Sequence, residues 1–157
     1  MGRLTLHVRQ IGSGVTNQIL DSKYRQYYFA LKRLYELHKE FRFGKTPDIP
    51  SGFSESLCRF ILGAKVAKSR QHDAISSDGK RVEIKATGTA EGRTTISNSS
   101  DFDFLVWLHI DFDKDSVFIY NLPKALFSLS GKPGRKSIYL KSIAKNIQPS
   151  IYQFLSQ

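Results

Sequence analysis

The sequence predicts one α/β domain in which a mixed central β-sheet is flanked by helices. Three observations favour this fold class. Apolar residues recur at three- and four-residue steps across 22–43, an Asp78-Gly79 pair separates two short alternating segments, and residues 102–110 are almost continuously apolar. These patterns indicate an amphipathic helix, a β-hairpin and a strand buried on both faces of a sheet. With 157 residues the chain can form one well-developed core. We therefore expect a single domain over 1–157, with a helical part at about 20–64, a sheet at about 72–121, and a helical and basic part at 122–157.

Two helices are predicted in the first half of the chain. The first spans residues 22–43, where tyrosine, leucine and phenylalanine side chains form an apolar stripe, and Gly44 ends it. A loop that contains Pro47 and Pro50 leads to the second helix, at about 53–64.

The predicted sheet begins with a hairpin. Residues 72–76 form the incoming strand, Asp78-Gly79 forms the turn, and residues 80–86 form the outgoing strand. Because side chains alternate along a strand, Glu83 and Lys85 should share one face of the outgoing strand. The apolar strand at 102–110 should lie in the centre of the sheet, and Ser116–Tyr120 should pair with it.

The last part of the chain is predicted to be mainly helical. We expect the element order α-α-β-β-β-β-α. The expected pieces are a short helix at Leu122–Leu129, an extended piece at 138–140, and helical segments at Ser142–Asn146 and Ser150–Leu155.

The hairpin also predicts a metal site. Ten positions separate Asp73 from Glu83, so folding at the turn brings two carboxylates and the Lys85 ammonium to one end of the hairpin. Carboxylate oxygens suit Mg²⁺, which is usually held by one or two carboxylates together with substrate phosphate oxygens. Lys85 would lie beside an attacking water or the phosphate that it attacks.

This Asp73…Glu83-Ile84-Lys85 pattern resembles the PD-(D/E)xK, or restriction-endonuclease-like, nuclease superfamily. The segment that follows it, residues 86–97, is similar to small type II restriction endonucleases. The resemblance covers residues 55 to about 110, and His72 stands where many members have the proline. It implies a restriction-endonuclease-like fold and Mg²⁺-dependent cleavage of double-stranded DNA, with Asp73 and Glu83 as metal ligands. The catalytic residues that it implies are Glu55, Asp73, Glu83 and Lys85.

Simpler interpretations of these residues remain open. Asp73 can begin a strand, and Glu83 with Lys85 can form a solvated pair at the edge of a sheet. Glu55 in the first turn of a helix would be stabilised by the helix dipole without any role in catalysis. The alternatives for function are a homing or repair endonuclease or a junction resolvase with the same core, or a DNA-binding module without catalysis.

Two polar segments are candidates for contact with DNA. Residues 93–100 carry short donors and acceptors suited to phosphates and base edges, and residues 131–137 form a basic segment predicted to be flexible. An ordinary polar surface loop would have the same composition. The predicted DNA-binding residues are Arg93, Thr94, Thr95, Ser97, Asn98, Lys132, Arg135 and Lys136.

Composition agrees with a nucleic-acid partner. There are 24 Lys and Arg against 14 Asp and Glu, which leaves a net charge of +10 and a pI near 9.8. No apolar run is long enough to span a membrane, so we expect no membrane partner and a cytoplasmic location in a bacterial or archaeal cell. The single cysteine, Cys58, excludes an internal disulfide. Because one such chain has one active site, cutting both strands predicts a two-fold homodimer that reads a palindromic site.

Overall fold

The computed structural model describes residues 7–11, 14–68 and 72–155, of which residues 7–11 and 14–16 are described by their backbone alone. The helices are α1 (Ser22–Glu40), α2 (Ser51–Leu62) and α3 (Leu140–Ile143). The strands are β1 (His7–Ile11), β2 (Gly14–Ile19), β3 (Lys65–Val66), β4 (Ala74–Ile75), β5 (Arg81–Thr87), β6 (Arg93–Ser97), β7 (Phe104–Asp111), β8 (Ser116–Pro123), β9 (Arg135–Tyr139) and β10 (Ser150–Phe154). Within these described ranges, no helix is both long and apolar enough to cross a membrane.

The fold is a single mixed α/β domain, as the sequence predicts. Eight strands form one sheet in the order β1-β2-β10-β8-β7-β5-β4-β3, and β6 with β9 form a separate two-stranded ribbon. The pairs β5–β7 and β2–β10 are parallel, whereas the other pairs are antiparallel. The apolar strand β7 lies between β5 and β8, which explains why its sequence is apolar on both faces.

Two hydrophobic cores lie on opposite faces of this sheet. On one face, Ile84 of β5 and Val106 of β7 pack in a core that includes Tyr28 of α1 and Leu57 of α2. On the other face, Trp107 and Leu105 pack with the β6–β9 ribbon and α3. The two long helices therefore cover one face, and the ribbon covers part of the other.

The helices follow the prediction with shifted ends. Helix α1 begins where the Asp21 side chain accepts a hydrogen bond of 3.0 Å from the backbone N–H of Lys23, and it ends at Glu40, three residues before the predicted end. Helix α2 begins two residues earlier than predicted and ends at Gly63, which adopts the left-handed conformation that favours glycine.

Several predictions for the rest of the chain are wrong. Residues 150–155, predicted to be helical, contain β10, and the helix predicted at 122–129 is the end of β8 followed by a single 3-10 turn. The segments at 93–100 and 131–137, predicted to be loops, contribute β6 and β9. The predicted element order omits the strands β1 and β2 that precede α1. All the strands that were not predicted are short, and pairing with other strands decides their conformation more than local preference does.

Candidate active site

The β4–β5 hairpin positions Asp73 at the side of β5. The turn is built as predicted, with Gly79 at a φ of 83° and the backbone N–H of Ser76 bonded to the carbonyl oxygen of Lys80 at 2.9 Å. The Asp73 N–H donates to the Val82 carbonyl at 2.8 Å, and the Ile84 N–H donates to Asp73 Oδ2 at 2.7 Å. The aspartate is therefore held at both its backbone and its carboxylate by the strand that carries Glu83.

Glu83 and Lys85 lie together on one face of β5. Lys85 Nζ is 3.1 Å from Glu83 Oε1, and Glu83 is only 9% exposed. Val82 and Ile84 point into the core on the helical side, so the predicted alternation along this strand is confirmed. A carboxylate this buried is costly unless it is paired, and Lys85 supplies the compensating charge.

Glu55 faces the same hairpin from α2. Its carboxylate is half-buried, and Arg59 Nη1 lies 3.8 Å from Glu55 Oε2. Because α2 begins at Ser51, Glu55 lies beyond the first turn of the helix. The simpler interpretation, in which the helix dipole stabilises Glu55 in the first turn, therefore does not apply. Burial raises the pKa of Glu55, and so does the Asp73 carboxylate, whereas Arg59 and Lys85 oppose this rise.

The surroundings of Glu83 disfavour the ionised form of its carboxylate. Burial raises the pKa of Glu83, and the negative charge of Asp73 raises it further, although Lys85 opposes the rise. A bound cation would relieve the repulsion that Glu83 experiences from the Asp73 carboxylate. Asp73 and Glu83 therefore have the charge and the hard oxygen donors that suit Mg²⁺.

The donor set is small. In the part of the chain that the structure describes, no group of three or more His, Cys, Asp or Glu side chains is placed to hold a metal ion. Mg²⁺ keeps several waters and needs only one or two carboxylates with substrate oxygens, so two protein donors still fit it. A zinc site, which needs three or four nitrogen or sulfur ligands, does not match these residues.

An ion-pair network that the sequence analysis missed fixes the beginning of β5. The Arg81 backbone N–H and its guanidinium Nη2 each donate to the Asp103 carboxylate at 2.8 Å, and the Arg81 side chain also contacts Asp101. The Asp103 N–H donates to the Arg81 carbonyl at 2.9 Å, which locks β5 in parallel register with β7. The available signal was the Asp-Phe-Asp sequence directly before the apolar strand.

The two predicted DNA-contact segments are brought together in one ribbon. Strands β6 and β9 pair from Arg93 with Tyr139 to Ser97 with Arg135. Asn98 closes this end of the ribbon through its backbone N–H, which donates to the Gly134 carbonyl at 2.9 Å. The remaining predicted residues lie on or beside these strands, and Lys132 belongs to the connection between Phe127 and β9.

The mixed sheet, with its two long helices on one face, is the fold of the restriction-endonuclease-like class. A family model described as Bsp6I restriction endonuclease matches residues 17–130, more than half of the chain. The chain therefore belongs to the Bsp6I restriction endonuclease family. The matched range includes Glu55, Asp73, Glu83 and Lys85 and ends before β9. The search of curated proteins finds no match to the chain.

Proposed function

We propose that this protein is a Mg²⁺-dependent, sequence-specific double-strand DNA endonuclease that hydrolyses phosphodiester bonds as a type II restriction enzyme. The observation that carries the proposal is the convergence of Asp73, Glu83 and Lys85 on one hairpin in a chain of a restriction endonuclease family. Residues 1–157 act as one nuclease domain, in the cytoplasm of the bacterial or archaeal cell in which such an enzyme meets DNA.

Each residue of the hairpin has a distinct role in this proposal. Asp73 and Glu83 would hold a magnesium ion, which would supply Lewis acidity for the scissile phosphate and a more acidic bound water. Lys85, held by Glu83 at 3.1 Å, donates hydrogen bonds to the attacking water or the scissile phosphate and offsets negative charge. Glu55, from α2, adds a third acidic group.

The DNA partner accounts for the charge of the chain. A net charge of +10 favours the approach of a polyanion, and each phosphate that is neutralised releases counterions. Arg93, Arg135 and Lys132 lie on or beside the ribbon, together with the hydroxyl and amide side chains of its strands. Two copies of the chain, related by a two-fold axis, would cut the two strands of a palindromic site.

Plasmid digestion tests the proposal. With Mg²⁺ the protein should convert a long plasmid into discrete linear fragments, and EDTA should stop the reaction. A smear at every enzyme dose would favour a repair or structure-directed nuclease with the same core. Binding of duplex DNA without any cleavage, at every Mg²⁺ concentration, would leave a DNA-binding module.

A further inference from the structure

The β6–β9 ribbon has one buried and one open face. Side chains alternate along both strands, and the cross-strand pair Ile96–Lys136 lies on the inner side, where Ile96 is 1% exposed. The neighbouring pair Thr94–Ile138 is also on this side, with Ile138 buried in the core below. The outer face carries the three cross-strand pairs Arg93–Tyr139, Thr95–Ser137 and Ser97–Arg135.

The chemistry of the outer face suits base edges. It presents two arginines, three hydroxyl side chains and Tyr139, which is 52% exposed, and it includes no acidic residue. Arginine pairs with guanine in a bidentate manner, and serine and threonine can bond to any base edge. The major groove of B-DNA admits a two-stranded ribbon, and five residues per strand give a length of about 17 Å.

The ribbon is firmly joined to the strand that carries the site. Gly92, at the base of β6, lies against Trp107, and the backbone N–H of Leu140 donates to the Gly92 carbonyl at 3.0 Å. Trp107 is the register partner of Lys85 on β5, and its indole N–H donates to Thr87 at 3.0 Å. The buried side chain of Trp107 therefore contacts both the base of the ribbon and β5.

We propose that the outer face of the β6–β9 ribbon enters the major groove and reads the DNA sequence. This inference rests on the proposed function. It adds Ser137 and Tyr139 to the residues that the sequence predicts to contact DNA. It also separates Thr94 and Lys136 from base reading, because they lie on the inner side and Lys136 Nζ donates to the Ser128 carbonyl at 3.0 Å.

Neighbouring residues on opposite faces of the ribbon give matched variants. Arg135→Ala and Lys136→Ala each remove one positive charge, and Ser137→Ala and Thr94→Ala each remove one hydroxyl group. The preferred duplex is obtained by sequencing the ends of wild-type plasmid fragments. Affinity for this duplex and for a scrambled duplex is then measured by fluorescence anisotropy, with Ca²⁺ replacing Mg²⁺ so that the DNA stays intact.

The outer variants should lose affinity for the preferred duplex by about tenfold to 100-fold more than for the scrambled one. The inner variants should leave the ratio of the two affinities unchanged, and circular dichroism should show all four folded. Equal losses of this ratio in inner and outer variants would overturn the ribbon proposal but not the nuclease. The absence of discrete wild-type fragments would overturn both.

A second, independent observation concerns α1. One side of the helix packs in the core through Tyr24, Tyr28 and Leu31. A second apolar stripe recurs at alternating steps of three and four residues and is partly open, with Tyr27 44%, Leu34 43% and Phe41 56% exposed. We call this second set the α1 stripe, and its residues are Tyr27, Ala30, Leu34, Leu37 and Phe41.

The α1 stripe has the spacing of a helix–helix seam. Apolar residues that alternate in steps of three and four repeat every 3.5 residues on average, which keeps them facing a partner helix. The surroundings are electrically mixed, because Arg33 forms an ion pair with Glu36 at 3.7 Å and Glu40 lies one turn further on. Five Lys and Arg against two Glu make α1 basic as a whole, so the apolar spacing of the stripe, and not its charge, is what suits a partner helix.

We infer that the α1 stripe binds a second copy of this chain. Two antiparallel copies of α1 bring the exposed Leu34 of each chain together, since Leu34 is the central residue of the stripe, so the face is self-complementary, as a two-fold interface requires. This inference also rests on the proposed function, since cleavage of both strands needs two active sites.

Sedimentation of the wild type and of Leu34→Glu/Phe41→Glu tests the α1 stripe. The wild type should sediment as a dimer and cut both strands. The double variant should sediment as a folded monomer and lose double-strand cleavage by at least tenfold while it still nicks supercoiled plasmid. Leu126→Glu, which changes an equally exposed leucine elsewhere, should remain dimeric.

A dimer that persists in the double variant, or a wild type that is monomeric on DNA, would overturn the α1 stripe as the interface. The first of these results would leave the nuclease assignment intact. As a further measurement, Leu34→Cys should form disulfide-linked dimers under mild oxidation, because the only native cysteine, Cys58, is buried.

Discussion

The carboxylate of Asp73 accepts a hydrogen bond of 2.7 Å from the backbone N–H of Ile84. This bond holds the acid at the strand position between Glu83 and Lys85, so in the proposed mechanism the three groups are arranged before any substrate arrives. Preorganisation of this kind is what electrostatic catalysis requires, because the protein then needs little rearrangement at the moment of reaction.

Asp73→Asn should remove the negative charge of the side chain while keeping its shape. The amide oxygen can still accept from Ile84, whereas the negative charge needed for a cation is gone. We expect the single-turnover cleavage rate to fall by at least about 100-fold with little change in melting temperature. Asp78→Asn makes the same chemical change in the exposed turn of the hairpin and should cut at the wild-type rate. Normal cleavage by Asp73→Asn would remove it from the site.

Glu55→Gln tests the acid contributed by α2. Its raised pKa and its interaction with Asp73 and Lys85 place it in the field of the hairpin. We expect the cleavage rate to drop by about tenfold or more, since a group that helps to position water loses its charge. Glu91→Gln, on an exposed loop, is the matched control. An unchanged rate combined with lower thermal stability would instead assign Glu55 a purely structural role.

The pH dependence of the protein's stability should reveal the cost of keeping Glu83 ionised in the folded state. Its pKa is raised in the folded protein, chiefly by burial and then by Asp73, so the folded state binds this proton more tightly than the unfolded chain does. The stabilising effect is fully present below the ordinary glutamate pKa of about 4.3 and is lost as pH rises through the folded value. In EDTA, Glu83→Gln should therefore gain melting temperature relative to wild type as pH rises from about 5 to about 8. A difference between the two proteins that does not change with pH would contradict this assignment.

Gly92→Ala should destabilise the ribbon. Gly92 has a φ of 63°, and a Cβ atom there would lie 2.6 Å from Cζ2 of Trp107, which is buried and cannot move aside. Overpacking and the left-handed backbone together should cost about 2–4 kcal/mol in the free energy of unfolding, measured with urea. Gly52→Ala, in α2 with open space around it, should be neutral or slightly stabilising. Equal stability of the two variants would contradict the close packing of β6 on Trp107.

Non-specific DNA binding should weaken steeply with salt. The net charge of +10 implies several phosphate contacts, and each one contributes about −0.9 to the slope of log K against log salt concentration. Removing one contact, as in Lys132→Ala beside the ribbon, should reduce that slope by about one. A nearly flat titration in fluorescence anisotropy would argue against binding dominated by phosphates.

Local patterns predicted the hairpin well. The Asp78-Gly79 turn sets the register, and alternation then decides which side chains of β5 share a face, so Glu83 and Lys85 could be paired from sequence alone. The Arg81 network could not be predicted in this way. It depends on the parallel pairing of β5 with β7, and its acids, Asp101 and Asp103, lie 20 and 22 residues away.

The ribbon was missed for a related reason. Residues 93–97 are polar and short, and only pairing with β9, about 40 positions later, makes them a strand. The same holds for Ser150–Phe154, whose conformation is decided by two neighbours, β2 and β8, that no local periodicity reveals. The sequence therefore predicted the geometry of the β4–β5 hairpin better than the strands of the ribbon.

Strand β10 lies between β2 and β8, parallel to the first and antiparallel to the second. The sheet is thus continuous only after Ser150–Phe154 has paired with Thr16–Ile19, which lies more than 130 positions earlier in the sequence. Such long-range closure is slow, and until it occurs β2 and β8 each present an unpaired edge on which another unfinished chain can dock. The yield of refolding is therefore set by a competition. Strand β10 must pair with β2 and β8 before two incompletely folded chains associate. Dilution favours the pairing of β10 over the association of chains.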